Sequence, residues 1–577
     1  MRSVCFVHVS GTLKNKGRRL EEIQGKKGKE MQREYVTKKI CCTVGLAAFA
    51  GLLGFFADKS GKAETDPVMA KQVSADTPGW MLNTEEPVTL DWYVNYSWFK
   101  SKWGNNLVSE KITEETGVDV NFITPSGNEA EKLNALIASD SLPDILTVGW
   151  WESQLDEMIE KDMIYPLNEL ADKYDLYFWK VSDPDTVNWY TKEDGNIYYY
   201  PNSSCTAKDL EEHDNIASNE TFLVRKDIYE AIGSPDMTTP EGFSAAVKKA
   251  VELFPEVDGK PLIPIGAHVF TNQGNVSFDN YLMDFLAVPW EKNGKLYDRY
   301  TDPDYLNWLK TFRQLGEEGC LADDIFIDQR SQMEEKLADG QYFCMLYQYT
   351  DMLDQQKSLY ANHPERIYMA VDGPKNSNGD YPTLPAIGIN GWTVTMISKN
   401  CKYPDRAIRF IDYLMSEHGQ KLTYLGVEGE MYDMVEGKPV LKKEVDELLN
   451  SDRTKYNERY GADNTYWMFQ DNIMQLQWKS DAPEPISQLE KWTYPYVVYN
   501  GQYDSILPTD SKEANADEKI TLLWSETLPK LLLSPSDERF DAIMQDFITM
   551  RDTYGYADLI EKKTELWQQA KEKLGME

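Results

Sequence analysis

The chain has 577 residues and a formal net charge of −35. That length suits several domains or one large two-lobed body with an ample core. The first 39 residues hold 11 basic and 4 acidic side chains, a net of +7, which leaves −42 on the remainder. So acidic a body repels phosphate backbones and argues against nucleic acid as a partner.

In chain order, the basic leader ends at Lys38–Lys39 and gives way to an uncharged run, ICCTVGLAAFAGLLGFFA, over residues 40–57. A positive stretch followed by an apolar one marks an export signal or an uncleaved anchor, and its length is near the short limit for a spanning helix. Residues 1–63 are therefore assigned to a leader with an export signal or anchor, and the rest is expected outside the cytoplasm, at the cell surface. Residues 64–85 are mostly small and polar, with Pro and Gly interspersed, and are read as a flexible stalk. No repeat of 20 to 50 residues is visible beyond it.

From Pro87 the pattern becomes regular. In VTLDWYV, Val88, Leu90, Trp92 and Val94 alternate with the period of a strand. NNLVSEKITEETG follows, with Leu107, Val108 and Ile112 at helical spacing and Gly117 as a stop. VDVNFI is the next strand. SGNEAEKLNALIASD opens with Ser126 and Glu129 at capping-box spacing and places Ala130, Leu133, Leu136 and Ile137 on one face. DILTVGWW closes the series. The order strand, helix, strand, helix, strand implies an α/β sheet with parallel strands. In such sheets ligands sit outside the carboxyl ends of the strands. Asn95, Tyr96, Ser97 and Trp98 follow the first strand, and Trp150 and Trp151 follow the third, so both loops can line one crevice.

The chain holds 16 Trp and 34 Tyr. Indole faces stack on the apolar C–H face of a pyranose while neighbouring polar groups bind its hydroxyls, which makes a carbohydrate the expected ligand. Cys205, Cys320, Cys344 and Cys401 are widely spaced, which leaves either buried thiols or one or two bridges, and no spacing suits zinc. Neither a metal nor another cofactor is expected. Catalytic motifs are missing from the sequence, and its five histidines are isolated from one another, so binding rather than catalysis is the expectation.

Several stretches in order resemble the extracellular solute-binding proteins of bacterial ABC importers, especially the long carbohydrate-associated type of Gram-positive surfaces. They are LDWYVNYSWF, EETGVDVNF, LIASDSLPDILTVGWW, DGNIYYYPNSS with ETFLVRKDIYEAIG, EKLADGQYFCMLYQY, and GWTVTMISKNCKYPDRAIRFIDYLMSEHGQKLTYLGVEG. The resemblance covers roughly residues 86–570. It implies a type II periplasmic-binding-protein-like fold: two α/β lobes joined by crossing hinge segments, with a carbohydrate captured between them and passed, by a monomer, to membrane permease subunits; the alternative within the same fold is a peptide or other solute as cargo, or a sensory role. Lobe 1 would be 86–202 plus 341–398, and lobe 2, mostly helical, 203–340 plus 399–577.

The expected binding residues of lobe 1 are Asn95, Ser97, Trp98, Trp150 and Trp151, with Tyr347, Tyr349 and Asp351 after the strand at FCML, and Trp392 near the hinge. From lobe 2, Glu428 and Trp467 are expected to contribute. Two departures from the resemblance stand out. No cysteine follows the apolar run as it does in lipoproteins. The place of an EF-hand-like calcium loop, FPEVDGKPLIPI, keeps Asp258 and Gly259 but lacks the alternating oxygen ligands, so no calcium is expected there.

Overall fold

The computed structural model describes residues 75–82, 86–480, 482, 484–504, 506–509 and 511–576. The chain divides into units Met1–Met69 and Ala70–Glu577, and the expected export signal or anchor lies outside the described residues. Among the described residues no helix is long and apolar enough to cross a membrane.

Among the described residues, the Ala70–Glu577 unit is built on two larger sheets, beside four two-stranded pairs. The first uses β1 (Val88–Val94), β2 (Val118–Ile123), β3 (Ile145–Gly149) and β4 (Tyr200–Pro201). The second uses β5 (Glu220–Arg225), β6 (Ile263–Gly266), β7 (Tyr342–Gln348) and β8 (Tyr368–Ala370). A last strand, β9 (Thr393–Ile397), returns to the first sheet. The strand orders are β2-β1-β3-β9-β4 and β8-β5-β7-β6. In lobe 1, β1 is parallel to β2 and β3, with Trp92 opposite Phe122 and Ile145, whereas β9 runs antiparallel to β3. Trp92 and Tyr93 are both buried, in separate clusters, because helices cover both faces of this sheet. The predicted alternation therefore holds only for the first half of β1.

The helix Leu107–Thr116 starts at Asn106, whose side chain accepts from the Ser109 N–H, and ends at Gly117 with φ of 65°. The next helix, Glu129–Ala138, is capped by Asn128 rather than by the expected Ser126–Glu129 box. Glu129 is diverted: its Oε1 accepts the backbone N–H of Ser97 at 3.0 Å, tying the helix start to the loop after β1. The amphipathic helix Pro404–Met415 is followed directly by a second helix, Glu417–Leu425, capped by Ser416.

Two sequence-based boundaries need correction. Tyr342–Gln348 belongs to lobe 2, because it pairs with β5 (Cys344 opposite Val224) and β6, so Tyr347, Tyr349 and Asp351 lie on lobe 2. Conversely, residues from Ala407 to Phe469 pack with Trp92 and Val94, which puts Glu428 and Trp467 on lobe 1. The chain re-enters lobe 2 near Ile486, where Leu489, Trp524, Leu528 and Phe547 join the core of β5 and β7. It thus crosses between lobes near 202–218, 385–392 and 478–486. The expected stalk is also partly docked: Trp80 is buried edge-on against Tyr177 and Tyr413, with centroids 5.7 and 5.2 Å away.

The four body cysteines are buried free thiols. Asp258 and Gly259, both at positive φ, form the turn of a small hairpin, and Asp258 pairs with Arg366 at 2.5 Å. That pairing and the tight turn spend on local structure the carboxylate that a calcium loop would use.

Candidate functional site

The crossing segments build the floor of the cleft, and Asn202 organises it. This buried side chain accepts from the Thr393 N–H (2.8 Å) and donates to the carbonyl of Trp467 (3.0 Å). The Asn202 backbone carbonyl accepts the N–H of Trp392 at 3.3 Å. Gly391, at φ of 65°, lets the strands close, since a Cβ there would sit 1.9 Å from the Asn202 oxygen. One residue, through its side-chain amide and its backbone carbonyl, therefore holds two tryptophans from distant parts of the sequence.

Those indoles meet the loop after β1. Phe99 turns inward and packs edge-on against Trp467, which leaves Trp98 projecting outward, 54% exposed. Trp98 and Trp392 are nearly parallel, 7° apart with centroids at 6.0 Å. Trp98 lies 5.7 Å from Trp467, and Trp392 lies 4.5 Å from Trp467. Tyr96 touches all three. The Tyr96 hydroxyl and the Trp467 Nε1 are buried without a partner among the described residues. A buried donor in that position carries a free-energy cost that a hydrogen-bonding ligand would offset.

A cavity of about 470 Å³ opens against Trp98 and Trp467, with Lys100, Lys102, Arg453 and Asn464 among its lining. Asn464 also lines a second cavity, of about 280 Å³, whose walls come from both lobes: Tyr424 and Gln475 on one side, Asn219, Tyr349 and Thr350 on the other. A third of that cavity's lining residues carry side-chain amides, and each amide offers both a donor and an acceptor, as a hydroxylated ligand needs. The lobes also touch where helix Leu353–Asn362 meets helix Lys443–Ser451, and where the Asn188 amide donates to the Lys573 carbonyl at 3.0 Å.

On lobe 2 the carboxyl ends of β6 and β7 carry polar groups. Gln348 donates to Asp351 at 3.0 Å and accepts from the Tyr281 hydroxyl at 3.1 Å, while Arg330 pairs with Asp351 at 3.2 Å. His268 stacks on Tyr347 with centroids 4.2 Å apart. Burial, then the nearby charge of Arg330, depresses the His268 pKa to about 3, so its ring is neutral.

Of the residues expected from sequence, the structure gathers Trp98, Trp392 and Trp467 into one cluster. Asn95 is buried and its Oδ1 accepts from Tyr93, so it serves the sheet rather than the cleft. Ser97 spends its N–H on Glu129. Trp150 and Trp151 meet edge to face at 5.9 Å, with Trp151 49% exposed and folded back over Gly149. Among the described residues neither touches the four-ring cluster. Tyr349 reaches the interlobe cavity, whereas Tyr347 is buried under His268 and Asp351 is held by Arg330. Glu428 is exposed, 3.7 Å from Lys421, and lines neither cavity. The sequence reading placed Tyr96 in the crevice loop without giving it a binding role, and it missed Asn202, His268, Arg330 and the basic lining. The repeated Lys in WFKSKW was the one local signal for the last.

This architecture has close counterparts. The chain is 26% identical over 234 residues to the fructooligosaccharide ABC transporter substrate-binding protein FusA of Streptococcus pneumoniae, covering 38% of this chain and 42% of that one. The match thus spans less than half the length of that curated relative. Its fold is similar to the structure of an S. pneumoniae FusA EF-hand mutant in complex with fructo-nystose, with TM-score 0.64, 17% identity, and 84% of this chain and 99% of that one covered. It is also similar to the alginate-binding protein AlgQ2 without calcium ion, with TM-score 0.62, 18% identity, and 84% and 98% covered. The family model described as bacterial extracellular solute-binding protein matches residues 108–427, and the chain belongs to that family.

Proposed function

We propose that this protein is the substrate-binding component of an ABC importer and captures an oligosaccharide between its lobes for delivery to membrane permease subunits. It acts outside the cytoplasm as a monomer, and it binds its ligand without transforming it. The observation that carries this reading is the cluster of Tyr96, Trp98, Trp392 and Trp467 at the carboxyl end of β1, open on the Trp98 side and adjoining a cavity lined with polar side chains. Flat rings beside amides and hydroxyls suit a sugar, whose two ring faces are apolar and whose rim is all hydrogen-bonding groups. The likeness to a fructooligosaccharide-binding protein supports the same cargo class. Closure then follows from differential affinity: a ligand that touches both lobes favours the state in which they approach.

The test is a thermal-shift screen of the full chain in mild detergent against oligosaccharides and, in parallel, short peptides. A saccharide that raises Tm in a concentration-dependent way supports the reading. A rise with peptides alone would replace the cargo.

A further inference from the structure

The cavity beside the aromatic cluster has a charge opposite to that of the molecule. The chain carries a formal −35, yet three of the side chains lining this cavity are Lys100, Lys102 and Arg453, against one acid, Glu458. Their partners differ. Lys100 donates to the Ser97 carbonyl, which fixes its position without neutralising its charge. Arg453 is held by Asp463 through its carboxylate and, at 2.7 Å, its carbonyl. Lys102 has no ion-pair partner among the described residues. Its backbone is pinned, because the Lys102 carbonyl accepts from the Tyr466 hydroxyl at 2.6 Å, and Tyr466 in turn stacks on Phe122. The cation is thus mounted on an ordered segment four residues beyond Trp98.

We infer that the ligand is an anionic oligosaccharide, and that Lys102, with Lys100 and Arg453, receives its acidic group while the rings of Trp98 and Trp467 hold the adjoining sugar face. This rests on the saccharide reading above and narrows it to a chemical class. A neutral ligand would gain hydrogen bonds from these cations but not the Coulomb attraction that an anionic group adds, and in a chain this acidic a local excess of cations favours entry of anions at one place. Charge-assisted bonds from ammonium or guanidinium to carboxylate are about twice as strong as neutral ones. The donor at Trp467 Nε1, buried and unpartnered among the described residues, adds one more group suited to an acceptor-rich ligand at the same wall. The acidic group can be a carboxylate, as in a uronic acid, or a sulfate; the cavity chemistry accepts either.

The experiment titrates the full chain in mild detergent, by calorimetry, with four probes: an oligogalacturonide, its methyl ester, a sulfated oligosaccharide and a neutral galacto-oligosaccharide. The expected result is an affinity for one acidic probe roughly tenfold or more above the ester and the neutral sugar, weakening as salt rises. Which acidic probe wins distinguishes carboxylate from sulfate. Lys102→Gln should erase most of that preference and leave Tm unchanged, since the side chain is exposed; Lys102→Glu should reverse it. Equal or tighter binding of the neutral probe or the ester would overturn the inference while leaving the saccharide reading in place. Failure of all four probes to bind would overturn both.

Discussion

On lobe 1 the rings of Tyr96, Trp98, Trp392 and Trp467 gather beside a cavity, whereas at the carboxyl ends of β6 and β7 on lobe 2 the polar groups form a hydrogen-bonded chain from Tyr281 through Gln348 and Asp351 to Arg330. Rings offer area: an indole buries well over a hundred square ångströms and tolerates sliding of the partner along its face. The chain of polar groups offers direction, because each bond fixes an angle. Under the proposed function the difference gives the lobes unequal tasks: lobe 1 would hold the ligand by ring area, and lobe 2 would read its orientation as the lobes close. Asn202, at the crossing, would then set the indoles of lobe 1.

The comparison breaks most completely at Asn202. Replacing it with Ala leaves the Thr393 N–H unpaired in a buried place and releases the loop of Trp467, for a loss of about 3 kcal/mol in stability. Chemical denaturation measures that loss, and saccharide binding should vanish with it. Trp98→Ala removes area without touching the core. Affinity should fall roughly thirtyfold, about 2 kcal/mol, with Tm unchanged. Gln348→Ala on lobe 2 removes a directional bond. It should cost about 1 kcal/mol, seen mainly as a faster dissociation rate in stopped-flow fluorescence. Trp151→Ala should cost about threefold at most, because a single exposed ring outside the cluster supports only the rim.

The smallest contrast is in pH dependence, and the two lobes should differ in sign. His268 on lobe 2 has a folded pKa depressed below its unfolded value by burial and then by Arg330. Its contribution is therefore full above about 6.5 and is lost as pH falls toward 3. On lobe 1, Asp412 is raised by burial and then by the neighbouring Asp175. Its contribution is present at acid pH and is lost as pH rises. The two contributions oppose each other between about pH 4 and 6.5, so Tm should change little there and fall as pH rises beyond about 6.5. Asp412→Asn should remove that alkaline fall and leave the loss of Tm on the acid side from His268, whereas His268→Phe should let the fall with rising pH begin near about pH 4.

Local pattern carried much of this in advance. Strand period, helix caps and the Gly117 stop are short-range properties, and β1 to β3 with their connecting helices follow from them. The choice of loop ends as the site also follows, because it rests on strand direction. What sequence could not give is pairing over long separations. Tyr342–Gln348 is an apolar run that would suit either sheet, and only its register opposite Thr221 to Val224 assigns it to lobe 2. Trp80 lies in a stretch otherwise small and polar, and its burial depends on Tyr413, more than 300 residues away. Trp150 and Trp151 drew attention by adjacency, but the cluster that forms unites Trp98, Trp392 and Trp467 through Asn202, a residue with no local mark of its role.

The most direct measurement is calorimetric titration of the preferred saccharide into the wild type, Trp98→Phe and Trp98→Ala. If lobe 1 holds the ligand by ring area, Phe should retain most of the affinity and Ala should lose roughly thirtyfold of it, with Tm equal in all three. Wild-type affinity in Trp98→Ala would contradict the account.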